Sequence, residues 1–338
     1  MIQSLTHLVD DSTVGGVNRM LQFLERCPEL ANTSRHSIEL VRRGRWTTPK
    51  LTADMIVSNL AVSWANLPLF TALRAAYPKT RLVHIEHSYS ERFVTLNVRN
   101  RDRFETLLRS VYALFDHVVA VSEQQAKWMR RKNLCPQGRL TVIEPLTDLN
   151  PFVAIPDLRP GDRRIVGAIG RLDNQKGFDI LIEAFRRAEL PAVELHIHGD
   201  GASMGELKVL AGGKTNIVFK GFANDPAAAM AGCDLVAMPS RWEPYGLVAL
   251  EAMAAGRPVI CARVDGLATH ISAGAIDVGE NTPDGWAARL RRLDQLALPA
   301  AAVRGRCRAN VARTRFVGAW DALIAGDMNP ETADALAA

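Results

Sequence analysis

Two stretches in the second half of the chain bring together residues able to handle a doubly charged phosphate and a polyol. Gly170-Arg171-Leu172-Asp173-Asn174-Gln175-Lys176-Gly177 joins a strand-like run to a helical one. A glycine there lets backbone approach a ligand, and a helix N-terminus favours an anion. Arg171 and Lys176 add two full positive charges, which suit a diphosphate whose negative charge grows as a bond to it breaks. Further on, Arg241-Trp242-Glu243-Pro244-Tyr245-Gly246 leads into Leu247-Val248-Ala249-Leu250-Glu251. Glu243 lies in a loop fixed by Pro244, and Glu251 about one and a half turns inside the helix that Gly246 opens. Carboxylates accept pairs of hydroxyls, and free helix N–H groups between them can receive phosphate. Taken singly, Arg171 and Lys176 read as surface residues and Glu251 as half of an ion pair. The repetition argues otherwise. His198-Gly199-Asp200-Gly201, Gly221-Phe222 and Met238-Pro239-Ser240-Arg241 each follow a strand-like run, so four consecutive strands finish in small or polar residues on one sheet edge.

The elements that must position these residues read as an α/β protein with parallel sheets, because apolar runs alternate with helical patterns almost throughout. In the first half, strands are expected at Ser4–Val9, Met55–Ser58, Arg81–Ile85 and His117–Val121, with a helix over Val17–Glu25. The first strand ends in Asp10-Asp11-Ser12-Thr13-Val14-Gly15-Gly16, and the others at Asn59, at Glu86-His87-Ser88 and at Ser122-Glu123. Asn150-Pro151, Pro156 and Pro160-Gly161-Asp162 read as an interdomain linker. A second series then gives strands at Arg164–Ile169, Val193–His198, Ile217–Lys220, Leu235–Met238 and Pro258–Ala262, and helices at Gly177–Ala188 and Gly246–Ala255. Past Trp286 the pattern is helical and closes with Arg315–Ile324, carrying Phe316 and Trp320, before a polar, Ala-rich tail. The resulting division is 1–153, 154–312, a final helix over 313–326 and a tail over 327–338. Ligands of such sheets sit outside the carboxyl ends of the strands.

The composition narrows the classes. At 338 residues with 48% hydrophobic and 23% charged, the chain suits two soluble domains. No apolar run approaches the ~18 residues of a membrane span, and the polar N-terminus does not resemble a signal peptide, so a cytoplasmic location is the expectation. Five scattered cysteines without a C-x-x-C pair argue against a disulfide framework or a zinc site and read as small core hydrophobes. The net charge of +5 comes without a nucleic-acid-binding motif, which sets nucleic acid aside as a partner. Two basic stretches with aromatic residues stand out: Arg92-Phe93 through Arg99, Arg101, Arg103-Phe104 and Arg109, and Lys127-Trp128-Met129-Arg130-Arg131-Lys132. They are either solvated helix faces or a patch for an anionic membrane surface or phosphorylated acceptor.

The E-x7-E pair Glu243 and Glu251 resembles the retaining glycosyltransferases of family GT4, which have the GT-B fold. So do Gly170-Arg171…Lys176-Gly177, Gly199-Asp200-Gly201, Gly221-Phe222 and Pro258-Val259-Ile260, an ordered likeness from Arg164 to about Gly266. The resemblance implies two Rossmann-like domains facing each other across a cleft, with the C-terminal helix crossing back to the first. It implies that Arg171 and Lys176 neutralise the donor diphosphate, that Glu243 binds hydroxyls of the transferred sugar, and that Glu251 binds the ribose. Gly246-Leu247-Val248 would add backbone contacts, and Gly199, Gly201, Phe222 and Arg241 fall in donor-binding segments. Gly15-Gly16 resembles the family's glycine-rich loop, and His87 falls where the family has a histidine facing the donor sugar, in a supporting role. Glu86 and Tyr89 become candidate acceptor contacts. One departure is visible: where the family commonly has two glycines and then an acid, this chain has Asp265-Gly266-Leu267-Ala268-Thr269-His270.

The expected activity is therefore transfer of a sugar, with retention, from a UDP- or GDP-sugar to a hydroxyl of a sugar, lipid-linked or glycolipid acceptor. Peripheral membrane contact is a further expectation. No D-x-D triplet occurs, so charge neutralisation by cationic side chains is expected in place of a metal ion or other cofactor. Two alternatives stay open: a GT-B-fold UDP-sugar epimerase, which would need no acceptor, and a non-catalytic nucleotide-sugar-binding protein.

Overall fold

The structure, a computed structural model, describes residues 2–11, 15–42, 47–136, 138–157, 164–190 and 192–327. The expected turn residues Ser12-Thr13-Val14, the linker residues Pro160-Gly161-Asp162 and tail residues 328–338 lie outside them. The chain divides into two compact units, unit 1 over Met1–Asp148 with Ala312–Ala338, and unit 2 over Leu149–Val311. The junction precedes the expected linker because Asn150–Val153 is a short helix that buries Phe152, with Ile155 buried just beyond.

Unit 1 is built on a six-stranded sheet of β1 (Gln3–Val9), β2 (Ser34–Leu40), β3 (Met55–Ser58), β4 (Arg81–Glu86), β5 (His117–Ala120) and β6 (Leu140–Val142), in the order β2-β1-β3-β4-β5-β6. Every pairing is parallel. The central strands β3 and β5 are buried at all four positions, as strands covered by helices on both faces should be. Leu107, Leu108, Tyr112, Phe70, Phe115 and Trp128 fill the core on one side. The edge strand β2 escaped the sequence reading because its Ser-Arg-His-Ser-Ile-Glu-Leu run is half exposed and has no apolar block to betray it.

Unit 2 repeats the plan with β7 (Arg164–Ile169), β8 (Val193–His198), β9 (Ile217–Gly221), β10 (Leu235–Met238), β11 (Val259–Cys261) and β12 (Ile276–Asp277), in the order β12-β11-β10-β7-β8-β9. All pairings are again parallel. The carboxyl ends of β7 to β10 therefore share one edge. The strand order reverses direction between β7 and β10, which makes the crevice at their ends the topological switch point. Of the five cysteines, Cys27, Cys233 and Cys261 are buried, Cys135 is half-buried and Cys307 is exposed, and none is paired.

The last helix is longer than its sequence signal. Leu298–Ala325 runs unbroken for 28 residues, starting in unit 2 and ending in unit 1. Its distal part lies on the sheet of unit 1. Trp320 packs edge-on to His7 and His36, 5.7 and 5.5 Å between ring centres, and Phe316 against Phe23 at 5.7 Å. Around that apolar seat, Arg313 grips both oxygens of Glu29 at 2.6 and 2.9 Å, Thr33 donates to Asp321, and Arg81 donates to the carbonyl of Leu323.

Candidate active site

In unit 2 the loops after β7 and β10 meet at the switch point. Lys176 Nζ lies 2.5 Å from Glu243 Oε2, with Lys176 mostly and Glu243 almost wholly shielded from water. Ser240 Oγ donates to the same oxygen at 3.3 Å. A cation and a carboxylate so held form a polar pair in the loops at the strand ends, where ligands of such sheets sit. Arg171 sits on the same loop with its side chain 69% exposed, its guanidinium resting on Asp173 at 2.5 Å. It is a cation on a solvent-screened tether, free to change partner at small cost.

Arg241 has a different place. Its two terminal nitrogens clasp Asp179 at 2.7 and 2.6 Å, and one also donates to the carbonyl of Asn174. Burial alone would raise the Asp179 pKa, but the hydrogen bonds and charge of Arg241 outweigh it and hold the carboxyl below its usual range. The clasp ties the β10 loop to the Phe178–Arg187 helix. Arg241 thus braces the site, and its fork is already occupied. Asn281 braces the other side, donating to the carbonyls of Pro239 and Ser240 while accepting from Trp286 Nε1.

Gly246 is the N-cap of the Leu247–Ala254 helix, with φ of 97°, a left-handed conformation that glycine adopts without steric penalty. The first-turn amides at Leu247 and Val248 begin the helix there. Glu251, 2% exposed, is carried inside it. Gly199 and Gly201 turn out to serve the fold directly. A Cβ at Gly199 would overlap the carbonyl of Gly170, and one at Gly201 the carbonyl of Leu172. The close approach expected of them is to the β7 loop itself, which they hold against the end of β8. Phe222 projects into solvent, 55% exposed, just past β9.

In unit 1, Gly15 is the N-cap of the Gly16–Arg26 helix. His87, just beyond β4, donates from Nε2 to Asn59 Oδ1 at the end of β3, 2.9 Å away. Burial pushes its pKa down to about 4, so the ring is neutral near pH 7. That neutrality fits support by hydrogen bonding. The expected acceptor contacts Glu86 and Tyr89 are instead bound up in the fold. Glu86 is 2% exposed and accepts from the amides of Ser88 and Tyr89 and from the hydroxyl of Tyr112. Burial opposes its ionisation, but His84, Tyr112 and Ser88 together leave its pKa lowered. Tyr89 donates its hydroxyl to the carbonyl of Val62. Glu86 thus braces the turn after β4, and Tyr89 ties that turn to the segment beyond β3.

Sequence reasoning passed over Ser240, Asp179, Asn281 and Asn59 as partners, and over Asp265, which accepts from the Glu243 amide at 3.1 Å. Ser240 and Asn59 stood at strand ends and were legible by that rule. Asp179 and Asn281 lie 62 and 41 residues or so from what they hold, and no local pattern connects them.

Comparison with known proteins agrees with this architecture. Residues 163–295 match the family model of glycosyl transferases group 1, and residues 24–150 that of glycosyltransferase family 4. A D-inositol 3-phosphate glycosyltransferase of Mycobacterium avium is 32% identical over 231 residues, covering 61% of this chain and 52% of the relative. The chain thus spans about half the length of the curated relatives it matches. Among solved structures, sucrose-phosphate synthase from Thermosynechococcus elongatus superposes with a TM-score of 0.74 at 21% identity, covering 98% of this chain and 100% of the other. Anabaena Alr3699/HepE, solved with UDP and glucose, gives 0.70 at 18% identity, covering 96% and 99%. The fold is two-domain GT-B, and with the two family models matched in series along its length, the chain belongs to the GT4-type glycosyltransferases.

Proposed function

We propose that this protein transfers a sugar, with retention of anomeric configuration, from a UDP- or GDP-sugar to an acceptor hydroxyl in the synthesis of a cell-envelope polysaccharide or glycolipid. The observation that carries the reading is the Lys176–Glu243 contact at the switch point of unit 2. When a sugar diphosphate enters, Lys176 exchanges the carboxylate for phosphate oxygens, and Glu243 is released to accept from sugar hydroxyls. Arg171 swings from Asp173 to the diphosphate, and the Leu247–Val248 amides complete its surroundings, with Glu251 on the ribose. The growing charge of the leaving diphosphate is then neutralised by side chains and amides already in place, with no metal ion required. The departing phosphate takes the acceptor proton on the face from which it left, which yields retention. The neutral ring of His87 supports the sugar. UDP is favoured by analogy with the UDP and glucose bound to HepE, a phosphorylated polyol acceptor by analogy with the inositol phosphate enzyme, and a glycolipid acceptor by analogy with a lipopolysaccharide core glycosyltransferase of Rhizobium meliloti.

The same reading places the protein in the cytoplasm against the inner membrane face. Arg99, Arg101 and Arg103 have no carboxylate partner among the described residues, and Arg103 lies over the half-exposed ring of Trp64, 5.2 Å from its centre. Leu96 is exposed beside them. The second basic stretch offers no such surface. Arg130, Arg131 and Lys132 pair with Glu123, Glu91 and Glu105, while Trp128 and Met129 are buried. No helix of the described residues is long and apolar enough to cross a membrane.

The test is nucleotide release from UDP-, GDP- and ADP-sugars, with and without candidate acceptors, followed by NMR of the product anomer. Release that depends on acceptor, and a fall of about a hundredfold or more in Lys176→Ala and Glu243→Ala, are expected. Wild-type rates from a folded Lys176→Ala protein would overturn the site.

A further inference from the structure

Asp265 adopts a φ of 40°, and Asn133 is the only other non-glycine residue at positive φ among those described. Such backbone is natural to glycine and strained for an aspartate, and strain of this kind persists where the surroundings enforce it. The turn itself does not call for a carboxylate. The side chain accepts the Glu243 N–H at Oδ2, 3.1 Å away. The next residue, Gly266, donates its N–H to the carbonyl of Glu243 at 2.9 Å. Both backbone polar groups of Glu243 are therefore held by one dipeptide. The two segments also pack closely: a Cβ at Gly266 would strike the carbonyl of Pro244, and one at Gly246 would crowd Leu267. His270 reaches the carbonyl of Tyr245 from the helix that follows. Holding N–H and C=O together fixes the direction in which the Glu243 side chain leaves the chain, toward Lys176 and Ser240.

We infer that Asp265 is a positioning residue for Glu243, its side-chain oxygen fixing the loop that aims the carboxylate at the donor sugar. The inference rests on the proposed contact between Glu243 and that sugar. It predicts that glycine, the residue best suited to the backbone, is worse for the reaction. Glycine relieves the strain while deleting the bond, so the fold keeps its stability as the carboxylate loses its aim. Asparagine retains both an acceptor and a tolerance of this conformation.

The experiment is calorimetric titration of wild type, Asp265→Gly, Asp265→Asn and Glu243→Ala with two matched pairs, UDP-glucose against UDP and GDP-mannose against GDP, alongside melting temperatures. The readout is the affinity gained from the sugar over the free nucleotide. Asp265→Gly is expected to melt close to wild type, to bind the free nucleotide normally and to lose about tenfold of the sugar-dependent gain, with Asp265→Asn restoring most of it. Asp265→Ala, which keeps the Cβ and lacks the acceptor, is read in the same way should the glycine variant fail to fold. A sugar-dependent gain undiminished in Asp265→Gly, or equal loss for nucleotide and nucleotide-sugar, overturns the inference. If Glu243→Ala loses the gain and Asp265→Gly does not, the positioning role alone fails. If Glu243→Ala also keeps it, or no pair shows a gain, the sugar contact fails with it.

Discussion

Mild acid should unfold unit 1 ahead of unit 2, for a reason visible in the histidines. His7, His36 and His117 are buried in unit 1. Burial holds His36 and His117 down to about 4 and His7 well below its ordinary value, with His36 as a further cause for His7 and Arg81 for His117. Half-buried His87 is also held to about 4. In unit 2, burial lowers His198 to about 4 and His270 to about 3. In the unfolded chain each ring returns to ~6.5. Folded values below unfolded ones mean that the unfolded state binds more protons below pH 6.5. Stability is full above that pH and drains as pH falls toward 4. At pH 5 the deficit is ~1.5 units at ~1.36 kcal/mol each, or ~2 kcal/mol per ring. That gives about 4 kcal/mol for His36 and His117 in unit 1, with further loss from His7 and His87, against about 4 kcal/mol for the two in unit 2. Whole domains are stable by only ~5–15 kcal/mol, so the difference decides which melts first. Urea melts at pH 7 and pH 5, followed by hydrogen-exchange mass spectrometry, resolve Met55–Ser58 and His117–Ala120 from Val193–His198 and Val259–Cys261. Stability unchanged between the two pH values, or unit 2 yielding first, would refute the reasoning.

Truncating Trp320 to Ala removes an indole that is 1% exposed against His7, His36 and Phe316. It should cost unit 1 about 3–5 kcal/mol while the melt of unit 2 stays put, and a uniform loss across both would contradict the packing described. Replacing Arg99, Arg101 and Arg103 together by Ser should weaken binding to vesicles rich in phosphatidylglycerol roughly a hundredfold, at ~1 kcal/mol for each residue. Flotation measures it. Wild-type protein that ignores anionic vesicles would remove the membrane from the proposal.

Much of the fold could be read ahead of the structure, and the reason is the doubly covered parallel sheet. Strands such as Met55–Ser58 and Leu235–Met238 are wholly buried, so they appear as uninterrupted apolar runs with polar residues at their ends. Three of the four edge strands broke the rule. Ser34–Leu40, Leu140–Val142 and Ile276–Asp277 are partly exposed and carry no such block. At the site, Lys176 and Glu243 were legible because they fall within short motifs, and the structure brings them into contact. Arg241 looked like a ligand-binding cation because its anchor, Asp179, lies elsewhere in the chain. Glu86 looked like a candidate acceptor contact at a strand end because the network that holds it arrives from Tyr112 and from the chain just beyond. Strand ends identify where chemistry can occur, and only three-dimensional partners reveal which polar groups remain available for it.

The long last helix has a consequence for how the molecule comes into being. Unit 2 is one continuous stretch, whereas unit 1 is interrupted and regains its missing piece only from Ala312 onward. On a ribosome, the half made first must therefore wait with its Trp320 seat empty while the half made second completes itself. Unit 2 thus has all its residues before unit 1 does, and for that interval the floor beneath His7 and His36 lacks its cover.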